Sequence, residues 1–281
     1  MCYSKGMILD GKKLARTIEE KLKSRVLSLG RIPVLVIVTV GQSGRNEVYV
    51  QAKKRCGERI GVEVRNCHFE EKTRANEIVD CISGLASDDD VDGIIIQLPL
   101  PVHLSTREIL DCIPPKKDVD GLTRYNMSAL YEGSPKIVPA TARGVMALLD
   151  HYGVEVDGAR AVVIGRSLLA GKPIAHELLI RNATVVVCHS HTKDISALVR
   201  SADIVVSATG FHGIIGPEDV QGRHVLVDVG IISSENGLIG DIDEEYKKKA
   251  LHYSPVPGGV GPMTVVSLFS NLIDSAERRS L

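Results

Sequence analysis

The sequence predicts a two-domain α/β protein: an N-terminal α/β domain with a parallel sheet, followed by a doubly wound nucleotide-binding domain. Three observations carry this. Helical and strand periodicities alternate along nearly all of the 281 residues, which is βαβ order with right-handed crossovers. Runs such as Pro33–Val40 are unbroken and β-branched, the mark of strands buried on both faces. Between Pro114 and Pro139 the periodicity fades and Pro, Gly, Asn and Ser gather, as at a junction.

In order, Leu14, Ile18, Leu22 and Val26 recur every four residues and predict a helix over 10–29. A strand follows at 33–40, a helix at 46–60, a strand at 62–69 and a helix at 72–87. Residues 93–98 read as another buried strand and 103–112 as a short helix. Beyond the junction, 143–152 reads as a helix and 159–164 as a strand. A Gly-containing turn then opens a helix running to about Arg181. Strands are predicted at 184–188, 204–207 and 224–229, with a helix at 194–200 between the first two. Three prolines and three glycines within Pro255–Thr264 exclude a helix or a central strand there. That run is a rigid loop or a plain turn before a last amphipathic helix at 265–279.

Composition narrows the function. Apolar residues are 44%, charged residues 25% and the net charge is −1, so no polyanionic partner is indicated and no nucleic-acid contact is expected. No apolar run is long enough for a membrane span, and Met1–Met7 has no signal-peptide core, so a cytoplasmic protein without membrane contact is expected. Six scattered cysteines contain no C-x-x-C pair, which argues against a metal site and against a disulfide framework.

Four places could carry chemistry. Gly165-Arg-Ser-Leu-Leu-Ala-Gly171 joins a strand to a helix, where doubly wound folds hold a pyrophosphate, although a plain turn has the same look. The next strand ends in Cys188-His-Ser-His-Thr192 with no carboxylate for a ribose 2′-hydroxyl. With Arg166 and Ser167 nearby, that suits a 2′-phosphate, unless Arg166 is only a surface charge. Tyr49 and Lys53 share a helix face, as a proton-transfer pair or as a lysine stem lying over a phenol. Gln97 ends a buried strand, where open sheets bind ligands, and Asp118 and Asp120 are either functional or turn caps.

Together the motifs resemble the bifunctional methylenetetrahydrofolate dehydrogenase/methenyltetrahydrofolate cyclohydrolase family. The matching pieces, in order, are Tyr49-Val-Gln-Ala-Lys53, Asp92–Pro101, Lys117-Asp-Val-Asp-Gly121, Gly165-Arg-Ser with Gly171-Lys-Pro173, Cys188–Thr192, Asp228-Val-Gly230, Gly240-Asp-Ile-Asp243 and Pro255–Thr264. The resemblance implies a catalytic, folate-binding α/β domain over 1–139, completed by a C-terminal helix at 263–281. A Rossmann-like NADP-binding domain over 140–262 and a cleft between the two are implied with it. The activity implied is oxidation of 5,10-methylenetetrahydrofolate by NADP, then hydrolysis to 10-formyltetrahydrofolate, in one-carbon metabolism and purine biosynthesis. Catalytic roles are implied for Lys53, Tyr49, Gln97 and Asp120. Folate contacts are implied for Tyr49, Gln97, Leu98, Pro99, Asp120, Pro257, Gly258 and Gly259. For NADP the residues are Thr141, Gly165, Arg166, Ser167, Gly171, Lys172, Pro173, His189, Ser190, Thr192, Ile231 and Thr264. No metal is implied, and a homodimer is. The chain's own hint of a dimer is the apolar segment Ala202–Thr209, which could end near a partner.

The chain departs from the family at Asn46 (usually Ser), Leu168 (Asn), Ser254 (Thr), Pro139-Ala-Thr-Ala142 (Pro-Cys-Thr-Pro) and Leu122-Thr-Arg124 (Phe-His-Pro). None of these removes a proton-transfer group. Two alternatives remain at this level: another NADP oxidoreductase on the same two-domain plan, and a folate- or nucleotide-binding protein without turnover.

Overall fold

The computed structural model describes residues 6–41, 44–235 and 237–279, and of residues 44–46 the backbone alone. Cys2, the segment Met1–Lys5 and the Asn46 side chain lie outside the described residues. The elements begin with β1 (Met7–Ile8), α1 (Gly11–Ser28), β2 (Val34–Val40), α2 (Gly44–Ile60), β3 (Glu63–Phe69), α3 (Ala75–Ser87) and β4 (Gly93–Ile96). Then come α4 (Thr106–Leu110), α5 (Arg124–Tyr131), α6 (Ala140–His151), β5 (Arg160–Ile164), α7 (Gly171–Ile180), β6 (Thr184–Cys188) and α8 (Ile195–Ser201). The last are β7 (Ile204–Ser207), β8 (Val225–Asp228), β9 (Ile232–Ser234), β10 (Gly237–Ile239), α9 (Glu244–Lys247), β11 (His252–Tyr253) and α10 (Val260–Arg279).

The chain divides into two units. The first comprises Arg16–Ala140 with the segment from Val265 onward, and the second comprises the residues through Ala15 with Thr141–Thr264.

In the first unit β2 lies between β3 and β4, parallel to both, and all seven of its residues are buried. Alternation on β3 sends Val64 and Cys67 to opposite faces. A Cβ added to Gly57 of α2 would sit 2.5 Å from Val64, whereas Cys67 meets Cys81 of α3, so the two helices cover opposite faces. The apolar stripe of α10 (Phe269, Leu272, Ile273, Ala276) is wholly buried, with Leu272 against Gly93. Asn271 of α10 donates to the carbonyls of Val119 and Val138 at 2.9 and 2.8 Å, tying down the stretch without periodicity. That stretch also contains α5, which the sequence reading omits. Thr123 caps it by accepting from Asn126 N–H, and Asn126 in turn donates to Asp118 at 2.8 Å.

In the second unit six parallel strands lie in the order β1-β11-β8-β7-β5-β6. The chain leaves β5 for β6 on one side and returns to β7 on the other. The switch point of this doubly wound sheet is therefore at the carboxyl ends of β5 and β7. Val162, Ile164, Val205 and Leu226 centre the core.

Three expectations need correction. Residues 6–15 lie with the second unit, because β1 pairs with β11, although 1–139 reads as one domain. Within the apolar segment Ala202–Thr209, Ile204–Ser207 is an interior strand, fully buried between β5 and β8, and not an exposed apolar stretch. Helix α10 begins at Val260, inside the Pro/Gly run. The first turn of a helix needs no intrahelical N–H donors, so Pro262 is tolerated there.

Candidate active site

In the first unit α2 and the end of β4 bring two predicted residues together. The Nζ of Lys53 donates to Gln97 Oε1 at 2.7 Å, and Gln97 Nε2 donates to the Leu98 carbonyl at 3.2 Å, which fixes the amide orientation. Gln97 is buried, Lys53 and Leu98 are half-buried, and Pro99 follows exposed after a cis peptide bond. Tyr49 is half-buried one helical turn before Lys53. Burial pushes the Lys53 ammonium below its ordinary value, and the Asp120 carboxylate draws it partly back. Burial pushes Asp120 up to about 6, against the pull of Lys53 and with the help of Asp118.

The two aspartates of the loop divide their work. Asp118 accepts from the N–H groups of Gly121, Leu122 and Thr123 and from Asn126 Nδ2, which makes it the turn's organiser. Gly121 sits at φ +74°, and a Cβ there would meet Pro139 at 2.9 Å. Asp120 thereby projects from a fixed turn.

In the second unit the Gly165 loop lies at the switch point. Gly165 N–H donates to the Cys188 carbonyl at 2.9 Å, joining the ends of β5 and β6. A Cβ on Gly165 would stand 2.3 Å from the Ala208 carbonyl oxygen, and one on Gly171 2.1 Å from the Gly165 carbonyl oxygen. Only glycines let the loop pass this close where β5 hands over to the start of α7. Ser167 Oγ accepts from Ala170 and Gly171 N–H, so its own proton remains to donate outward. Arg166, Lys172 and Ser190 are exposed, Pro173 is buried in the first turn of α7, and half-buried Leu168 turns within the loop. His189 and Thr192 close a turn by a 2.9 Å bond from His189 N–H to Thr192 Oγ1. This surface has the shape and donors for a dinucleotide with an extra phosphate: a glycine cradle, a helix start, an arginine, and no carboxylate at the end of β6.

Other predicted residues gather elsewhere in the same unit. Thr141 and Thr264 touch through their hydroxyls at 3.4 Å. Ile231 and Pro257–Gly259 line one cavity of about 260 Å³, with Lys12, whose N–H donates to the Gly258 carbonyl at 2.8 Å. Gly258 is at φ +113°, and Gly259 N–H closes the turn onto the Pro255 carbonyl. Ser254 Oγ accepts from Asp228 N–H at 2.8 Å, the bond a threonine hydroxyl would also make.

The sequence reading missed a buried network that shapes this cavity. Asp228 accepts from the N–H groups of Gly230, Asp241 and Ile242 and from Lys247 Nζ at 2.8 Å, with both side chains fully buried. Asp241 accepts from Ser207, and from Thr209 through both its N–H and its hydroxyl. A Cβ on Gly230 would collide with Asp241 and one on Gly240 with Asp228, which is why each aspartate faces a glycine. The Asp-Val-Gly and Gly-Asp-Ile-Asp spacing was a usable signal for that pairing. Lys247, in a polar stretch, gave none. Among the described residues no group of three or more His, Cys, Asp or Glu side chains could hold a metal ion, and no helix is long and apolar enough to cross a membrane.

Known proteins resemble this chain over both of its halves. Residues 9–120 match the model of the tetrahydrofolate dehydrogenase/cyclohydrolase catalytic domain, and residues 139–280 that of the NAD(P)-binding domain. The chain is 41% identical to the bifunctional protein FolD of Nitratiruptor sp. over 277 residues, covering 97% of this chain and 98% of that one. It superposes with a TM-score of 0.95 at 40% identity on the FolD methylenetetrahydrofolate dehydrogenase/cyclohydrolase of Campylobacter jejuni, covering 97% and 99%. The Trypanosoma brucei enzyme, solved with NADP and an inhibitor, gives 0.94 at 34% identity, covering 98% and 99%. Both halves of the sequence are thus accounted for, and the chain belongs to the tetrahydrofolate dehydrogenase/cyclohydrolase family.

Proposed function

We propose that this protein oxidises 5,10-methylenetetrahydrofolate to the methenyl cation with NADP, then hydrolyses the cation to 10-formyltetrahydrofolate. The observation that carries the reading is the Lys53–Gln97 hydrogen bond beside the raised carboxyl of Asp120.

NADP supplies the hydride acceptor of the first step. In this reading the Gly165–Gly171 loop receives its pyrophosphate, and Arg166, Ser167 and Ser190 receive its 2′-phosphate. The remaining predicted contacts (Thr141, Lys172, Pro173, His189, Thr192, Ile231, Thr264) position the rest of the dinucleotide. In the first unit, Tyr49 stacks on the pterin, and ionised Asp120 accepts from its N–H donors. Leu98 and Pro99 shape one wall. In the second unit, Pro257–Gly259 offer a rigid backbone surface, the folate contact that the family resemblance implies.

The second step needs a base near neutrality. Water attacks the methenyl carbon and one of its protons passes to the neutral Lys53 amine. The carbon–nitrogen bond on the pteridine-ring side of the resulting carbinol then breaks, its hydroxyl becomes the formyl carbonyl, and the hydroxyl proton moves to the freed nitrogen. Burial favours the neutral amine, and the Gln97 carbonyl takes one N–H of Lys53, which aims the nitrogen lone pair.

We further read the protein as cytoplasmic and as a homodimer, a source of one-carbon units for purine biosynthesis. For the dimer, β6 ends the sheet and half-exposes Val186 and Val187, an edge another chain can cover. The test is direct. Purified protein given methylenetetrahydrofolate and NADP should produce NADPH and the methenyl absorbance; no turnover with NADP or NAD overturns the reading.

A further inference from the structure

Five of the six cysteines fall among the described residues, all as free thiols. One pair is brought together: Cys67 Sγ on β3 and Cys81 Sγ on α3 lie 3.1 Å apart. That is inside the roughly 3.5–4 Å of ordinary nonbonded contact. Cys67 points to the sheet face that α3 covers, and Cys81 is on the helix directly over it. Both are half-buried, so a small solute reaches them. The pair lacks the further ligands a metal would need, since no group of three or more such side chains forms among the described residues.

We propose that Cys67 and Cys81 form a redox-active dithiol that closes to an intramolecular disulfide on meeting a peroxide. The Cys67 thiolate attacks one peroxide oxygen, the O–O bond breaks, hydroxide leaves, and Cys67 becomes a sulfenic acid. Cys81 then loses its proton and attacks the Cys67 sulfur. The S–S bond forms, the S–O bond breaks and water departs. In sum, two thiols and one peroxide give one disulfide and two waters; the sulfurs lose two electrons and the peroxide gains them. Burial, and then Cys67 itself, push the Cys81 thiol up to about 12, so Cys81 keeps its proton until the second step. The new bond would staple the edge strand to its covering helix. Val38 of β2 pairs with both Cys67 and Ile96, so the staple sits level with the residue preceding Gln97.

The experiment treats the full chain with hydrogen peroxide, alkylates the remaining thiols and maps non-reduced peptides by mass. Expected are an intact mass lower by two hydrogens, a linked Cys67–Cys81 peptide that dithiothreitol removes, and a Tm higher by several degrees from closing a short loop. In Cys81→Ser, dimedone should trap a sulfenic acid on Cys67. In Cys67→Ser, neither the linked peptide nor a trapped Cys81 should appear. Full alkylation of both cysteines after peroxide exposure that oxidises the methionines overturns the proposal. So does a disulfide formed with any other cysteine or between two chains.

Discussion

Lys53 and Gln97 stand 44 residues apart in sequence, yet the lysine amine and the glutamine carbonyl oxygen are held at 2.7 Å. The bond links a helix to the end of a buried strand and leaves a lysine whose charge is disfavoured by burial. Replacing Lys53 by Met keeps the stem and deletes the base. Hydrolysis of added methenyltetrahydrofolate should fall by about 100-fold or more, the lower end of what a general base contributes. Oxidation of methylenetetrahydrofolate should suffer less. Loss of methenyl absorbance, followed separately from NADPH formation, measures both.

Asp120 predicts a pH dependence. Its carboxyl is raised to about 6, so the carboxylate that accepts from a pterin is lost as pH falls through about 6. kcat/KM for the folate should decline below that pH, and Asp120→Asn should flatten this limb while raising KM. Stability has the opposite sense. A carboxyl with a raised folded-state pKa favours the fold while protonated, and that contribution disappears as pH rises from about 4 through about 6. Denaturant melts of Asp120→Asn should therefore lack the stability loss that the parent shows over that window.

Arg166 tests the cofactor. If it meets the 2′-phosphate, Arg166→Ala removes a charge-assisted contact worth about 1.5–3 kcal/mol. Preference for NADP over NAD should fall by roughly 10- to 100-fold in kcat/KM, with the NAD reaction nearly unchanged. An unaltered ratio would return Arg166 to the status of a surface charge.

Lys247 tests the buried network. Lys247→Met leaves Asp228 buried without its cation and should cost about 3–5 kcal/mol of stability in urea unfolding. Adding Asp228→Asn should recover part of that loss, because the orphaned charge is removed.

Much of the fold was legible because its signals are local. The β2 run is apolar and β-branched throughout, and α1 repeats its apolar positions at helical spacing. Elements invisible to periodicity are those that pairing creates. β1 and β11 are two residues each and exist through one another. Helix α5 depends on the Thr123 cap and on an Asn126 whose partner, Asp118, lies outside the helix. In the proposed site, the pairing of Lys53 with Gln97 was legible as two residue types at telling positions. Which of Asp118 and Asp120 organises the loop was not, because that depends on which carboxylate the turn's N–H groups reach.

The pairing of β1 with β11 has a consequence for how the protein can be taken apart. Each unit is assembled from two separate stretches of chain, so a single cut after residue 139 frees neither. The amino-terminal piece would lose α10 from its core, and the remainder would lose an edge strand of its sheet. Translation meets the same topology: Met7 of β1 leaves the ribosome 252 − 7 = 245 residues ahead of His252, the partner that gives it a place.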